Sequence, residues 1–92
     1  LVPLKTVENC KKALQICKEI SEIMDEGMSS DVGSGALMAN AGAIAAAYNV
    51  RINLKSISNE KFNLDTKRKL EDLIKNCNDT LTVVSQNVEK CL

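Results

Sequence analysis

Apolar side chains recur at helical spacing along almost the whole chain. Val7, Cys10, Leu14, Cys17 and Met24 form one stripe, widened by Ile20 and by Ile16 or Ile23, while Glu8, Lys11, Lys12, Lys18, Glu19 and Glu22 fall on the opposite side. The pattern predicts a first helix over residues 3–25. Pro3 suits an opening turn, where a missing N–H costs nothing. Gly27 is expected to stop the helix in the left-handed conformation.

The second stretch is unlike the first. Residues 32–54 contain one charged side chain, Arg51, and few bulky ones; Gly33, Gly35, Gly42 and many alanines stand where leucines usually sit in a buried helix. Ser29, Ser30 and Asp31 are three consecutive N-cap candidates. From there Gly35, Ala39, Ala43 and Ala47 repeat every four residues, as do Ser34, Met38, Gly42 and Ala46. Two such ladders let neighbouring helices approach the backbone from more than one side. A helix interior glycine costs about 0.5–1 kcal/mol relative to alanine, so three of them require a packing or binding reason. Helical through Leu54, this element is about 35 Å long.

Residues 56–63 read as a polar connector, with Ile57 and Phe62 turned back to the body. A third helix is predicted from Leu64 or Asp65 to the C-terminus. Its apolar positions Leu70, Ile74, Cys77, Leu81, Val84, Val88 and Cys91 alternate spacings of four and three, and Leu73 widens the face. Nothing alternates with period two over a useful length. The expected fold is all-α, a bundle of three long helices over residues 1–92, in which the smooth helix is the buried centre.

Composition adds one constraint. Tyr48 and Phe62 are the only aromatic residues and there is no Trp, so burial per residue is low in a chain of 92 residues. The bundle is therefore expected to lean on further surface, from a missing N-terminal half or from a partner chain. The chain opens on Leu1 rather than methionine and is expected to be cut from something longer. Residues 1–8 read as a helix opening of mixed charge rather than a secretion leader.

Charge excludes more than it suggests. Twelve basic and twelve acidic residues cancel without forming blocks, which leaves no footprint for nucleic acid or an anionic membrane. Residues 32–50 are nineteen residues without a charge, but Ala and Gly dominate, Ser34, Asn40 and Asn49 interrupt them, and aromatic belts are missing. A membrane span is not expected.

Cys10 and Cys17 are seven apart and Cys77 and Cys91 fourteen apart, in register with the apolar stripes. Zinc sites use closer spacing and usually histidine, which the chain lacks. The cysteines read as small core residues in a reducing cytoplasm, although bridges between different helices stay open.

Without histidine no Ser–His or Cys–His nucleophile can be built within the chain. Gly33-Ser34-Gly35 lacks the rest of a phosphate loop and reads as close backbone approach at a helix start, whose free N–H groups would also suit a carboxylate or a carbonyl. Asp31 reads first as a cap, second as an acid or base. Asn49 and Asn53 are four apart and share a helix face, and Arg51 lies on another. Such amides either bridge neighbouring backbone or orient a polar ligand.

The runs VPLKTVENCKKALQI and SSDVGSGALMANAGAIAAAYNVRINLKSISNEKF resemble the C-terminal half of the cyclodeaminase/cyclohydrolase family. This is the helical domain of formimidoyltransferase-cyclodeaminase and of the related methenyltetrahydrofolate cyclohydrolases. The features carrying the resemblance are Val2-Pro3-Leu4 opening a helix, Ser30-Asp31 opening the small-residue helix, and the run from Asn49 to Ile57 ending it. It covers residues 1–62; the third helix agrees only in being long and amphipathic.

What the resemblance implies is an all-helical, usually dimeric enzyme of tetrahydrofolate one-carbon metabolism. Relatives convert 5-formimidotetrahydrofolate to 5,10-methenyltetrahydrofolate with loss of ammonia, a lyase reaction, or hydrolyse methenyl- to 10-formyltetrahydrofolate. Both need proton transfer beside a cationic one-carbon centre, with the folate as substrate and no metal or separate cofactor. The family's Gly-rich loop and the Asp expected to be catalytic belong to its first half and have no counterpart here. The chain is therefore expected to be inactive alone and to line the folate pocket and dimer core. Asp31, Asn49 and Asn53 are the ligand-facing or site-orienting candidates, with Arg51 and Lys55 as contacts for a glutamate tail. The rival expectation is a noncatalytic helical interaction module that docks a partner and ignores folates.

Overall fold

The computed structural model describes residues 2–92, and three helices account for most of them: α1 (Val2–Ser21), α2 (Ser29–Leu54) and α3 (Glu60–Glu89). A short 3-10 turn, Glu26–Met28, leads into α2. The result is a rod of 50 × 15 × 15 Å in which every helix packs on both others. No strand occurs among the described residues, so the all-α bundle read from periodicity is the fold.

The core runs the length of the rod. Val7 and Leu14 of α1 meet Ala36, Ala43, Ala46, Ala47, Val50 and Leu54 of α2 and Leu70, Leu73, Cys77 and Val84 of α3. The largest fully buried side chains are leucines and valines, while both aromatic residues are exposed. Leu70, Cys77 and Val84 form the predicted seam of α3, with Ile74, Leu81 and Val88 packed against its margin. Thr66 and Thr80 are buried on the same helix.

The small-residue ladders serve two neighbours, as their pattern requires. A methyl added at Gly42 would lie 3.4 Å from Cys10 Sγ on α1, and one added at Gly33 would lie 3.2 Å from Val88 Cγ2 on α3. Neither ladder stays on one face, however. A step of four residues turns about 40° beyond a full turn. The ladder beginning at exposed Ser34 and Met38 thus reaches the α1 contact only at Gly42 and the core at Ala46. In consequence α2 is half-buried: one side is core, and another, including Leu37, Met38, Tyr48 and Ile52, faces solvent.

Helix boundaries move where side chains supply caps and ties that apolar spacing does not reveal. α1 ends at Ser21, four residues before Asp25. There Ser21 Oγ donates to Lys18 O (2.7 Å) and accepts from Asn87 Nδ2 (3.0 Å), tying the end of α1 to α3. Ile23, beyond that end, and Ile16, on the outer side of α1, lie outside the core, exposed. Gly27 sits in the 3-10 turn, and no glycine has positive φ. Ser29 Oγ donates back to Glu26 O (2.8 Å), so the turn flows into α2 without a side-chain cap from Ser29, Ser30 or Asp31. α3 starts at Glu60, earlier than Leu64 or Asp65, because Asn59 Oδ1 accepts from Phe62 N at 2.9 Å. Ile57 packs against the core as expected, while Phe62 stays exposed.

Candidate functional site

The turn between α2 and α3 builds the most chemically distinctive surface of the molecule. Asn63, on the first turn of α3, donates through Nδ2 to Ile57 O (2.8 Å) and Leu54 O (3.3 Å). One side chain thus bridges the end of α2 and the connector, adding a second bond to Leu54 O, which also accepts from Ile57 N (3.2 Å). Ser56 Oγ donates to Asn53 O (2.9 Å) and tightens the same turn. These bonds fold the connector over a cavity of about 390 Å³ lined by Arg51, Leu54, Lys55, Ile57, Asn63 and Lys67.

The lining sorts into an apolar floor and a cationic rim. Leu54 is buried and Ile57 packs on the core. Arg51, Lys55 and Lys67 are exposed, and none belongs to an ion pair among the described residues. Asn63 Oδ1 is buried without a hydrogen-bond partner, leaving an acceptor. Three uncompensated cations around an apolar floor suit a carboxylate-bearing ligand with an apolar body, since Arg and Lys make charge-assisted hydrogen bonds to such groups.

Another groove, about 440 Å³ between α1 and α3, carries Lys11, Lys12 and Lys69, and there Lys69 is paired to a carboxylate. Glu8 Oε1 lies 3.1 Å from Lys69 Nζ and Glu8 Oε2 3.9 Å from Lys5 Nζ. The hydrogen bond and charge of Lys69, aided by Lys5 and Lys12, hold the Glu8 carboxyl below its usual range.

The residues singled out in the sequence separate into groups. Arg51 and Lys55 share the cavity. Asn49 and Asn53 are exposed and line no part of it. Asp31 is exposed on the first turn of α2, eighteen residues from Asn49, a distance of about 27 Å along the helix. Asn63 and Lys67 were not among the candidates. Their four-residue spacing on the opening of α3 was the available signal, hidden by placing the helix start too late. Gly33-Ser34-Gly35 lies where α2 meets α3, with Gly33 against Val88, a packing role.

The four cysteines are free thiols, and burial pushes the Cys77 thiol up. Among the described residues no group of three His, Cys, Asp or Glu could hold a metal ion, and no helix is long and apolar enough to cross a membrane.

Residues 1–72 match the family model described as formiminotransferase-cyclodeaminase. The match takes in α1, α2, the connector and the opening of α3, and so every residue of the cationic cavity. No curated protein and no solved structure matches the chain. With a family-model match extending over most of its length, the chain belongs to the formiminotransferase-cyclodeaminase family.

Proposed function

We propose that this chain supplies one wall of the folate site in a cytoplasmic enzyme of tetrahydrofolate one-carbon chemistry, and that the Arg51–Lys55–Lys67 cavity receives the glutamate carboxylates of the folate. The observation carrying this reading is the set of three unpaired cations over the Leu54 and Ile57 floor, within the family-matched stretch. The α- and γ-carboxylates of a terminal glutamate match such a rim. The apolar floor suits the methylene and aromatic atoms that precede the tail.

Binding at the tail would leave the one-carbon unit to be placed by the rest of the site. In the hydrolase direction, water adds to the methenyl carbon of 5,10-methenyltetrahydrofolate, a proton leaves, and one C–N bond breaks to give 10-formyltetrahydrofolate. In the lyase direction, N10 attacks the formimido carbon and ammonia departs. Both steps ask for a carboxylate or ordered water near the reacting carbon, a group that the first half of the domain would supply. No metal or separate cofactor is invoked. Free thiols suit a reducing compartment.

The test uses the complete domain containing this chain. Arg51→Ala combined with Lys55→Ala should raise KM for polyglutamylated folates at least tenfold with little change in kcat, since tail contacts are the same in ground and transition states. An unchanged KM overturns the tail site. Asn53→Ala reports separately: unchanged folate affinity with unchanged stability removes Asn53 from the site. The 92-residue chain alone should not consume methenyltetrahydrofolate, and measurable turnover would refute an external catalytic group.

A noncatalytic interaction module is the second reading, favoured by the uncharged, solvent-facing side of α2. Folate titration separates the two, because a module would bind none even in the complete domain.

A further inference from the structure

Folding sorts charges that the sequence leaves mixed. α1 and α3 run parallel, with α2 antiparallel to both. Glu8 therefore meets Lys69 and Leu54 meets Asn63 at one end of the rod, while Ser21 meets Asn87 and Gly33 meets Val88 at the other. Residues 2–12 and 51–72 build the first end. They carry nine of the twelve basic residues but five of the twelve acidic ones, a net charge of +4. The other residues carry three basic and seven acidic side chains, a net charge of −4. A chain without net charge thus becomes a rod 50 Å long with a positive and a negative pole. Such a field draws anions to one end.

At that end the groove between α1 and α3, about 440 Å³, has the volume of a small-molecule site. Lys69, Leu73 and Asn76 stand on one face of α3 at steps of four and three, opposite Lys11, Lys12 and Gln15 of α1. Leu73, 9% exposed, is the floor. Glu8 also lines the groove, but its carboxylate is held by Lys69 at 3.1 Å and Lys5 at 3.9 Å. Lys11 and Lys12 belong to no ion pair among the described residues, and the side-chain amides of Gln15 and Asn76 donate to no group there. Three lysines and one glutamate leave the lining with a net charge of +2. The lowered Glu8 pKa, set first by the Lys69 hydrogen bond and then by the charges of Lys69, Lys5 and Lys12, registers the same positive field.

We infer that this groove binds the phosphate monoester of a small hydroxylated molecule, with Lys11, Lys12 and Lys69 around the phosphate and the Gln15 and Asn76 amides on the hydroxyls. Charge selects the head group. A phosphate monoester carries about −1.5 to −2 at pH 7 and offers three terminal oxygens, which match three ammoniums converging from two helices. Lysine meets phosphate as a point charge, and no arginine lines the groove to present a planar fork to a carboxylate. A single carboxylate would leave about half of the lining charge unanswered. Leu73 supplies an apolar surface for the C–H groups of the body. The groove is separate from the Arg51 cavity, because Lys67 and Lys69 lie about 200° apart around α3.

The inference does not rest on the folate reading, and its test contains no folate. Ribose 5-phosphate and inorganic phosphate are titrated separately into the 92-residue chain and followed by backbone and side-chain amide NMR, with ionic strength held constant by sodium chloride. Saturable shifts should centre on the groove and include the Gln15 and Asn76 side-chain amides, with a Kd on the order of a millimolar for ribose 5-phosphate. Inorganic phosphate, without the hydroxylated body, should bind more weakly, and so should succinate, a dianion with planar head groups. Lys11→Gln combined with Lys12→Gln should weaken ribose 5-phosphate binding about tenfold or more, two charge-assisted contacts being lost. Both positions are exposed, so far-UV circular dichroism should not change. Lys90→Gln, exposed at the negative pole, should leave binding as it was. Shifts that do not saturate, shifts centred on Arg51 and Lys55, or a double variant that binds as tightly as the unsubstituted chain overturn the site. Succinate binding as tightly as ribose 5-phosphate overturns the choice of phosphate, and inorganic phosphate doing so overturns the hydroxylated body.

Discussion

Replacing the three glycines of α2 by alanine, one at a time, should split them in sign. All three gain from leaving glycine, by about 0.8–1.0 kcal/mol in a helix interior. What differs is the space awaiting a methyl group. At Gly35 the nearest atom is Cys17 Sγ at 3.9 Å, and at Gly42 it is Cys10 Sγ at 3.4 Å, both ordinary contact distances. Gly42→Ala should therefore stabilise by about 1 kcal/mol or slightly more, the methyl adding part of the about 0.8 kcal/mol of a buried CH₂. Gly35→Ala should stabilise by about 1 kcal/mol, from propensity alone. At Gly33 the methyl meets two atoms of Val88, Cγ2 at 3.2 Å and Cγ1 at 3.3 Å, on a β-branched side chain with little freedom to turn aside. Overpacking of that kind costs about 1–3 kcal/mol and outweighs the propensity gain. Gly33→Ala should be destabilising by about 1 kcal/mol net. Thermal unfolding followed by circular dichroism resolves these effects, since 1 kcal/mol moves Tm by about 4–8 °C in a domain of this size. A higher Tm for Gly33→Ala would refute close approach at Val88, and a lower Tm for Gly42→Ala would refute the room for a methyl beside Cys10.

Asn59→Ala should cost about 1 kcal/mol in urea denaturation by removing the cap on Phe62 N, while Asn59→Asp should keep most of it. The lowered Glu8 pKa gives an acid-side prediction. Because the folded carboxyl is the stronger acid, its contribution is present above the unfolded pKa and fades as pH falls through the folded one. Glu8→Gln should lower Tm at neutral pH and converge with the unsubstituted chain only at a pH below the lowered folded pKa, where the carboxyl is protonated in both states. A difference that persists unchanged there would refute the Lys69 pairing as its cause.

The sequence by itself determined the helices and their inner faces. Apolar residues at steps of three and four leave one solution for α1 and α3, and Leu14, Leu70, Cys77 and Val84 are buried where that spacing puts them. Small residues in α2 announced close neighbours, and contacts at Gly33 and Gly42 supply them. Arg51 was legible as the lone cation of α2, whereas Lys55 followed from the family resemblance. Helix ends were less legible, because Ser21 and Asn59 act through hydrogen bonds that periodicity does not encode. Only the tertiary structure decided what those cations share. Lys67 and Asn63 reach the same cavity because the connector turns α3 back along α2, which depends on the Asn63 bonds to Leu54 and Ile57. It also decided which side of α2 stays open. Alanine and glycine look alike on every face of a helix, so composition could mark α2 as the centre of a bundle without saying that two neighbours cover only part of it. Met38, Tyr48 and Ile52 lie on the part left open.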